Sequence, residues 1–180
     1  MSNYRRDRTP GATWFFTVVT HGRRPWLCRE APLRALAIAF EQTRERFPYR
    51  VIAGVVLPDH LHVVWSHPEG DCDFGKRWSL VKRLTGDLLE AEGGLDSFPC
   101  SSHGSRVERT LWQRRFWEHR IRDEVDLQNH VDYINYNPVR HGLVGRAAEW
   151  PHSTLQRFIR RGWMSPDWAA GNDACVQAGE

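Results

Sequence analysis

Two histidines separated by one residue, His60 and His62 in the segment LPDHLHVVW, are the side chains of this 180-residue chain best placed to do chemistry. Aliphatic and β-branched residues lie on both sides of them. The stretch from Val51 to Trp65 therefore reads as two strands meeting at a turn over Leu57-Pro58-Asp59. Side chains alternate along a strand, so both imidazoles leave on one face while Leu61 and Val63 leave on the other. Two imidazoles held in this way make half of a metal site. A metal there could polarise a phosphate or carbonyl oxygen, but it needs a further ligand and a nucleophile. The segment VDYINYNPVRHG offers both. The phenolic oxygen of Tyr133 can attack phosphorus, and Asn137 lies one helical turn later with an amide oxygen able to ligate. Tyrosine is a poor nucleophile at its ordinary pKa of about 10, which is why a metal-activated phosphate makes chemical sense of the combination. Tyr136 is the rival nucleophile, and it lacks the one-turn relation to Asn137.

The elements that must hold these groups follow from periodicity. Thr13 to Thr20, TWFFTVVT, is a first strand. Ala31 to Phe47 carries Leu33, Leu36, Ala37 and Phe40 at helical spacing, enters through Pro32 and ends before Pro48. Tyr49 to Leu57 and His60 to Ser66 are the paired strands. Phe74 to Glu90 reads as a second helix and Thr110 to Ile121 as a fourth strand. A third helix runs from Val125 to about Tyr136 and is expected to stop near Asn137, because Pro138 disfavours helical geometry in the residue before it. The order strand, helix, strand, strand, helix, strand, helix predicts an α+β fold. Its ferredoxin-like four-stranded antiparallel sheet has helices on one face, and the tyrosine-bearing helix lies beside the histidine strand. The face carrying His60 and His62 is expected to be open. The glycine- and serine-rich stretch from Gly93 to Ser105 reads as a flexible excursion.

Composition narrows the partners. The chain has 25 Lys+Arg against 22 Asp+Glu, a net charge of only +3, so bulk charge names no partner. Its distribution says more, because arginine heavily outnumbers lysine and falls in doublets such as Arg5-Arg6 and Arg114-Arg115. Arginine's planar fork suits phosphate and guanine edges. Most of the nine tryptophans should be core, with some left as stacking platforms for unpaired bases. The four cysteines form no CxxC pair, which argues against a zinc ribbon or a disulfide framework. No apolar stretch suits a membrane span or signal peptide, so a soluble, cytoplasmic protein with no membrane partner is expected.

LPDHLHVVW, followed by FWEHRIRDEVDLQNHVDYINYNPVRHGLV and then WPHST, resembles the REP-associated tyrosine transposases, relatives of the single-tyrosine transposases in the HUH endonuclease superfamily. The match extends from SNYRR to about Phe158. The resemblance implies a single-strand DNA nuclease and strand transferase acting at repetitive extragenic palindromes. It also implies a divalent ion, Mg2+ or Mn2+, and a covalent 5′-phosphotyrosine intermediate that leaves a free 3′ hydroxyl. His60 and His62 match the HUH pair, Tyr133 the nucleophile and Asn137 a third metal ligand, where related single-tyrosine transposases often carry glutamine.

Single-stranded DNA containing a palindromic hairpin is thus the expected partner. Tyr4, Arg5 and Arg6 of the N-terminal arm, Lys82 and Arg83 of the second helix, Arg114, Arg115, His119, and Trp150, His152 and Ser153 are its expected contacts. His67, His130, His141 and His152 are read as loop or capping residues without a ligand role. Residues 1–162 are expected to form the catalytic domain with its arm, and 163–180, which hold three acidic residues and no basic ones, a tail. A monomer that completes its site in cis is expected, the alternative being a dimer that shares histidines and tyrosine between subunits. Two rival functions stay open: a hairpin-binding or regulatory protein of the same fold, and a hydrolase that activates water at the histidine pair.

Overall fold

The computed structural model describes residues 8–93 and 111–169. The expected contacts Tyr4, Arg5 and Arg6, most of the Gly93 to Ser105 excursion and the end of the tail lie outside them. The elements run β1 (Thr13–Val19), α1 (Glu30–Arg46), β2 (Arg50–Val56), β3 (His60–Ser66), α2 (Phe74–Ala91), β4 (Trp117–Arg120), α3 (Glu124–Arg140) and α4 (Leu155–Arg160). The four strands form one antiparallel sheet in the order β2-β3-β1-β4, the expected ferredoxin-like arrangement. Among the described residues no helix is long and apolar enough to cross a membrane.

The two faces of the sheet are chemically different because the pleat sorts them. Trp14, Phe16, Val18, Leu61, Val63 and Trp65 point towards α1 and α2 and build the larger core, in which Trp65 and Trp78 stack at 4.7 Å. Phe15, Ala53, Val55 and Val64 point the other way and meet Val131, Tyr133 and Ile134 of α3 and Phe158 of α4. The histidine face is therefore covered. This corrects the expectation of an open face: it carries too much apolar surface to be left in water, and burying Ile134 alone is worth about 1.5–3 kcal/mol. As a result His60 and His62 are only 3% and 1% exposed.

Two boundaries differ from expectation in ways that matter for the site. β4 is only four residues long, and the segment before it pairs through a single bridge, Thr20 with Trp112. α3 does not stop near Asn137 but runs through Pro138 to Arg140. Asp123 caps its start by accepting the Asp126 amide at 2.8 Å, with Glu124 and Asp126 in the first turn. Its end is made by Gly142, at φ +66°: the Leu143 amide donates to the Pro138 carbonyl and the Gly142 amide to Val139. That pair of bonds is a Schellman closure, which requires a left-handed residue that glycine supplies without strain. Pro138, which is buried, removes one amide donor within the last turn.

The WPHST segment seals the β2 edge. Val56 donates its amide to the His152 carbonyl, Thr154 donates to Gly54, and Ser153 bridges Val55. An edge strand left bare would invite pairing with another chain. The packed part of the chain continues past residue 162, since Met164 joins the α3 side of the core and accepts a hydrogen bond from Asn135.

Candidate active site

Because α3 continues to Arg140 and closes at Gly142, Tyr133, Asn137 and His141 form a stripe at four-residue spacing along one side of it. β3 lies beneath that stripe. The Tyr133 ring is 5.1 Å from the ring of His62, and the His141 ring is 5.1 Å from that of His60. Asn137 falls between these two contacts on the stripe, and the two strand histidines are themselves 4.9 Å apart. Sheet and helix thus bring together the four residues read from the sequence as the chemical centre and add His141, which had been read as a capping residue.

Each strand histidine is held by its Nδ1. His60 Nδ1 is 2.6 Å from Asp59 Oδ1, and an ionised carboxylate can only accept, so the proton is on Nδ1 and Nε2 is left for a ligand. Burial alone would raise the Asp59 carboxyl, but the hydrogen bonds from His60 and Arg23 outweigh it and hold the group below its ordinary value. His62 Nδ1 is 2.9 Å from the hydroxyl of Thr17, its cross-strand partner in β1. Burial, reinforced by His60, His141 and Arg140, holds the His62 imidazolium well below its ordinary range, so the ring is neutral at pH 7 and offers a lone pair. Arg140 also lies 5.6 Å from the Tyr133 ring centroid, a cation beside the phenol.

The decisive feature is what these groups lack. His62 Nε2 and both amide atoms of Asn137 are buried without a hydrogen-bond partner among the described residues. A buried polar group left unmade costs roughly 1–3 kcal/mol, so such atoms at one place argue for a ligand that satisfies them. Two imidazole nitrogens and an amide oxygen are a donor set that fits a divalent ion, with the oxygen suiting Mn2+ or Mg2+.

A second group that could hold a metal lies on the same sheet face. Ligand atoms of His119, Asp126 and His130 all fall within 4.8 Å of one another. Here the polar atoms have partners. Asp126 Oδ2 accepts from His119 Nε2 at 3.0 Å, from the Arg122 amide at 3.0 Å and from Arg122 Nε at 2.9 Å, while His130 Nδ1 donates to the Asp126 carbonyl at 2.7 Å. Burial would raise the Asp126 carboxyl, but the bonds from Arg122 and His119 hold it far below the usual carboxylate range. The two imidazoles stack at 4.8 Å. The carboxylate already has its cation, so this cluster is a clasp between β4 and the start of α3.

Several expected DNA contacts land elsewhere. Lys82 is 4% exposed, donates Nζ to the Gln113 carbonyl at 2.7 Å and lies 5.6 Å from the Phe116 ring, so it is a structural cation of the α2 layer. Arg83 is exposed and paired with Asp87, but α2 puts it on the sheet face away from the histidines. Trp150 donates Nε1 to the Val56 carbonyl and Ser153 accepts the Leu155 amide, so both are committed to the β2 edge, with half-buried His152 between them. His119 is committed to the clasp. Arg114 and Arg115 are exposed immediately before β4. Of the other residues at the site, His141 continues the four-residue series, and Arg140 lies beside it on the last turn of α3. Thr17 emerges only from strand register.

No protein-family model matches the chain. A REP-associated tyrosine transposase of Escherichia coli K12 is 39% identical over 180 residues, covering 100% of this chain and 98% of the relative. A Haemophilus influenzae protein carrying the same family name is 39% identical over 177 residues, 98% of each chain. A solved structure of a REP-associated tyrosine transposase bound to a REP hairpin superposes with a TM-score of 0.80 at 39% identity, covering 100% of this chain and 98% of that one. With full-length relatedness at this level, and with the histidine pair facing the tyrosine helix, the chain belongs to the REP-associated tyrosine transposases.

Proposed function

We propose that this protein is a metal-dependent, single-strand-specific DNA endonuclease and strand transferase acting at palindromic hairpins through a 5′-phosphotyrosine intermediate. The observation that carries the reading is the convergence of Tyr133 with His62 and with the orphaned atoms of His62 and Asn137. His60, His62 and Asn137 would hold Mn2+ or Mg2+, which when bound withdraws charge from a non-bridging oxygen of the scissile phosphate. Tyr133 is held edge-on by Phe15, with centroids 5.9 Å apart, and by His62, so its hydroxyl has a fixed approach. Its oxygen forms the new bond to phosphorus as the bond to the 3′ oxygen breaks. The phenolic proton is given up and the departing oxygen takes one up. Reversal by another 3′ hydroxyl rejoins strands without an external energy source.

The hairpin partner is supported by the hairpin-bound relative of the same length and fold. Arg114 and Arg115, with Tyr4, Arg5 and Arg6 of the arm, are the remaining candidates to grip its backbone. A monomer is the assembly favoured, because one chain by itself brings Tyr133 against His62. Acting on DNA, the protein would work at the nucleoid. The test is denaturing gel electrophoresis after incubation of wild type and Tyr133→Phe with a labelled single-stranded hairpin and Mn2+. A slow-migrating covalent adduct is expected with wild type and a loss on the order of a thousandfold or more with the variant. Cleavage without an adduct in both proteins would replace the reading with a water-activating hydrolase, and binding without cleavage in either would replace it with a hairpin-binding factor.

A further inference from the structure

Trp117 is an exception among the tryptophans. Trp14, Trp26, Trp65, Trp78 and Trp112 are all but inaccessible, while Trp117 is 45% exposed although it sits within the sheet. Register shows where it stands. Thr17 of β1 pairs with His62 of β3 on one side and with Trp117 of β4 on the other, so the three side chains form one cross-strand row on one face. With strands spaced about 4.8 Å apart, Trp117 stands about 10 Å from His62. The Phe15 ring touches both Trp117, at 5.6 Å, and Tyr133, at 5.9 Å.

The indole is also fixed. It lies parallel to His119, at 5.9 Å and 6°, and His119 is stacked in turn on His130, with both imidazoles held by Asp126. Three planar rings in file, the two imidazoles bound to Asp126 through its carboxylate and its backbone carbonyl, end in a tryptophan whose remaining surface meets solvent. An exposed tryptophan loses hydrophobic stabilisation that burial would have provided, and one locked in place pays little further entropy when something stacks on it. Arg114 and Arg115, exposed just upstream, supply cations to a phosphate backbone running past it. The other strongly exposed tryptophan, Trp163 at 64%, differs, because the Arg161 guanidinium already lies 4.9 Å from its ring centroid.

We propose that Trp117 is the stacking platform for an unpaired base of single-stranded DNA, seating a nucleotide close to the phosphate presented to Tyr133. The proposal rests on the single-strand DNA part of the function proposed above. It gives the Asp126 clasp a purpose, since Asp126, His119 and His130 become the positioning residues of the platform. Stacking tolerates any base, so the site would set where the strand lies more than which sequence it has.

The test is a cycle between protein and DNA variants. A labelled single-stranded oligonucleotide carrying a palindromic hairpin with short flanks is prepared with each flanking nucleotide in turn made abasic, and affinity is measured by fluorescence anisotropy. Trp117→Ala is expected to weaken binding of the intact oligonucleotide about tenfold, and Trp117→Phe much less. One abasic position is expected to weaken wild type by a similar factor and to have no further effect in Trp117→Ala. Trp117→Leu, which keeps the apolar contact with Phe15 and His119, repeats the cycle in case the alanine variant folds poorly. If every abasic position weakens the variants as much as it weakens wild type, Trp117 stacks on no base and the proposal falls. Adduct formation, scored on the same oligonucleotides, reports separately on the nucleophile: an adduct without coupling removes the platform and leaves Tyr133 chemistry standing. Coupling without an adduct does the reverse.

Discussion

Two histidine clusters share one face of one sheet, and they differ in whether their polar atoms are satisfied. In the clasp, the Asp126 carboxylate accepts three hydrogen bonds, one of them from His119, and its backbone carbonyl accepts a fourth from His130. Across Phe15, the cluster of His60, His62, Asn137 and His141 leaves His62 Nε2 and both polar atoms of Asn137 without partners among the described residues. Counted by residue type alone, the clasp, with its carboxylate, looks the better metal site. Counted by unsatisfied atoms, the other cluster does. A charge already neutralised by Arg122 has little to offer an ion, whereas buried lone pairs with no partner make the folded protein better off once an ion arrives.

The comparison would be broken most directly by metal. Saturating Mn2+ should raise the unfolding temperature of wild type, by the equivalent of about 2.7 kcal/mol at a hundredfold excess over the dissociation constant. His62→Ala should abolish that shift and lower adduct formation on the order of a thousandfold. His130→Ala should keep the shift whatever it does to baseline stability. Thermal melts of the three proteins with and without Mn2+ decide the matter, and a shift that follows His130 instead would move the metal to the clasp.

Removing the clasp's carboxylate should show the opposite balance. Asp126→Ala leaves Arg122 and His119 without their acceptor; Arg122 is exposed and can turn to solvent, so a loss of about 1–2 kcal/mol in urea unfolding is expected. Adduct formation per folded molecule, at a DNA concentration that saturates binding, should stay within a few fold of wild type. A collapse of chemistry with unchanged stability would show that the two clusters had been assigned the wrong way round.

How much of this arrangement was legible beforehand depended on the range of the signal. The first three strands, the first two helices and the pairing of His60 with His62 are local patterns of alternation and periodicity and are readable, whereas the fourth strand, expected over Thr110 to Ile121, is only Trp117–Arg120. The reach of α3 was misread because Pro138 was given the last word. The stop signal is Gly142, and once the helix is extended to it the series Tyr133, Asn137, His141 is present in the sequence. Lys82 was misjudged for a different reason: a lysine in a basic doublet is ordinarily solvated, and only the packing of α2 against the Gln113 carbonyl shows otherwise. Neither Thr17 beneath His62 nor Trp117 in the same row could be found without register, since that is a relation between strands far apart in sequence.

His67 sharpens the comparison by showing that an orphan is not sufficient. Both of its ring nitrogens are buried without hydrogen-bond partners among the described residues, yet it sits just past β3 between Trp65 and Phe74, on the α2 side and away from the tyrosine stripe. The unsatisfied groups nearest to it are indole N–H donors such as Trp65 Nε1, which cannot ligate a cation, so nothing there selects a metal. Burial, with Arg77 adding to it, pushes its pKa down to about 4, against an ordinary value near 6.5. The unfolded chain therefore binds a proton that the folded one refuses between those two values. The contribution of His67 to stability is complete above pH 6.5 and is lost as the pH falls towards about 4. His67→Leu should flatten the decline of unfolding temperature across that window while leaving the Mn2+ shift and adduct formation as in wild type. A decline as steep as that of wild type would place the acid sensitivity in His62 and His130, whose imidazoles burial also holds neutral. A lost Mn2+ shift would mean that a solitary orphan can matter to the site after all, and that convergence is the wrong criterion for telling the two clusters apart.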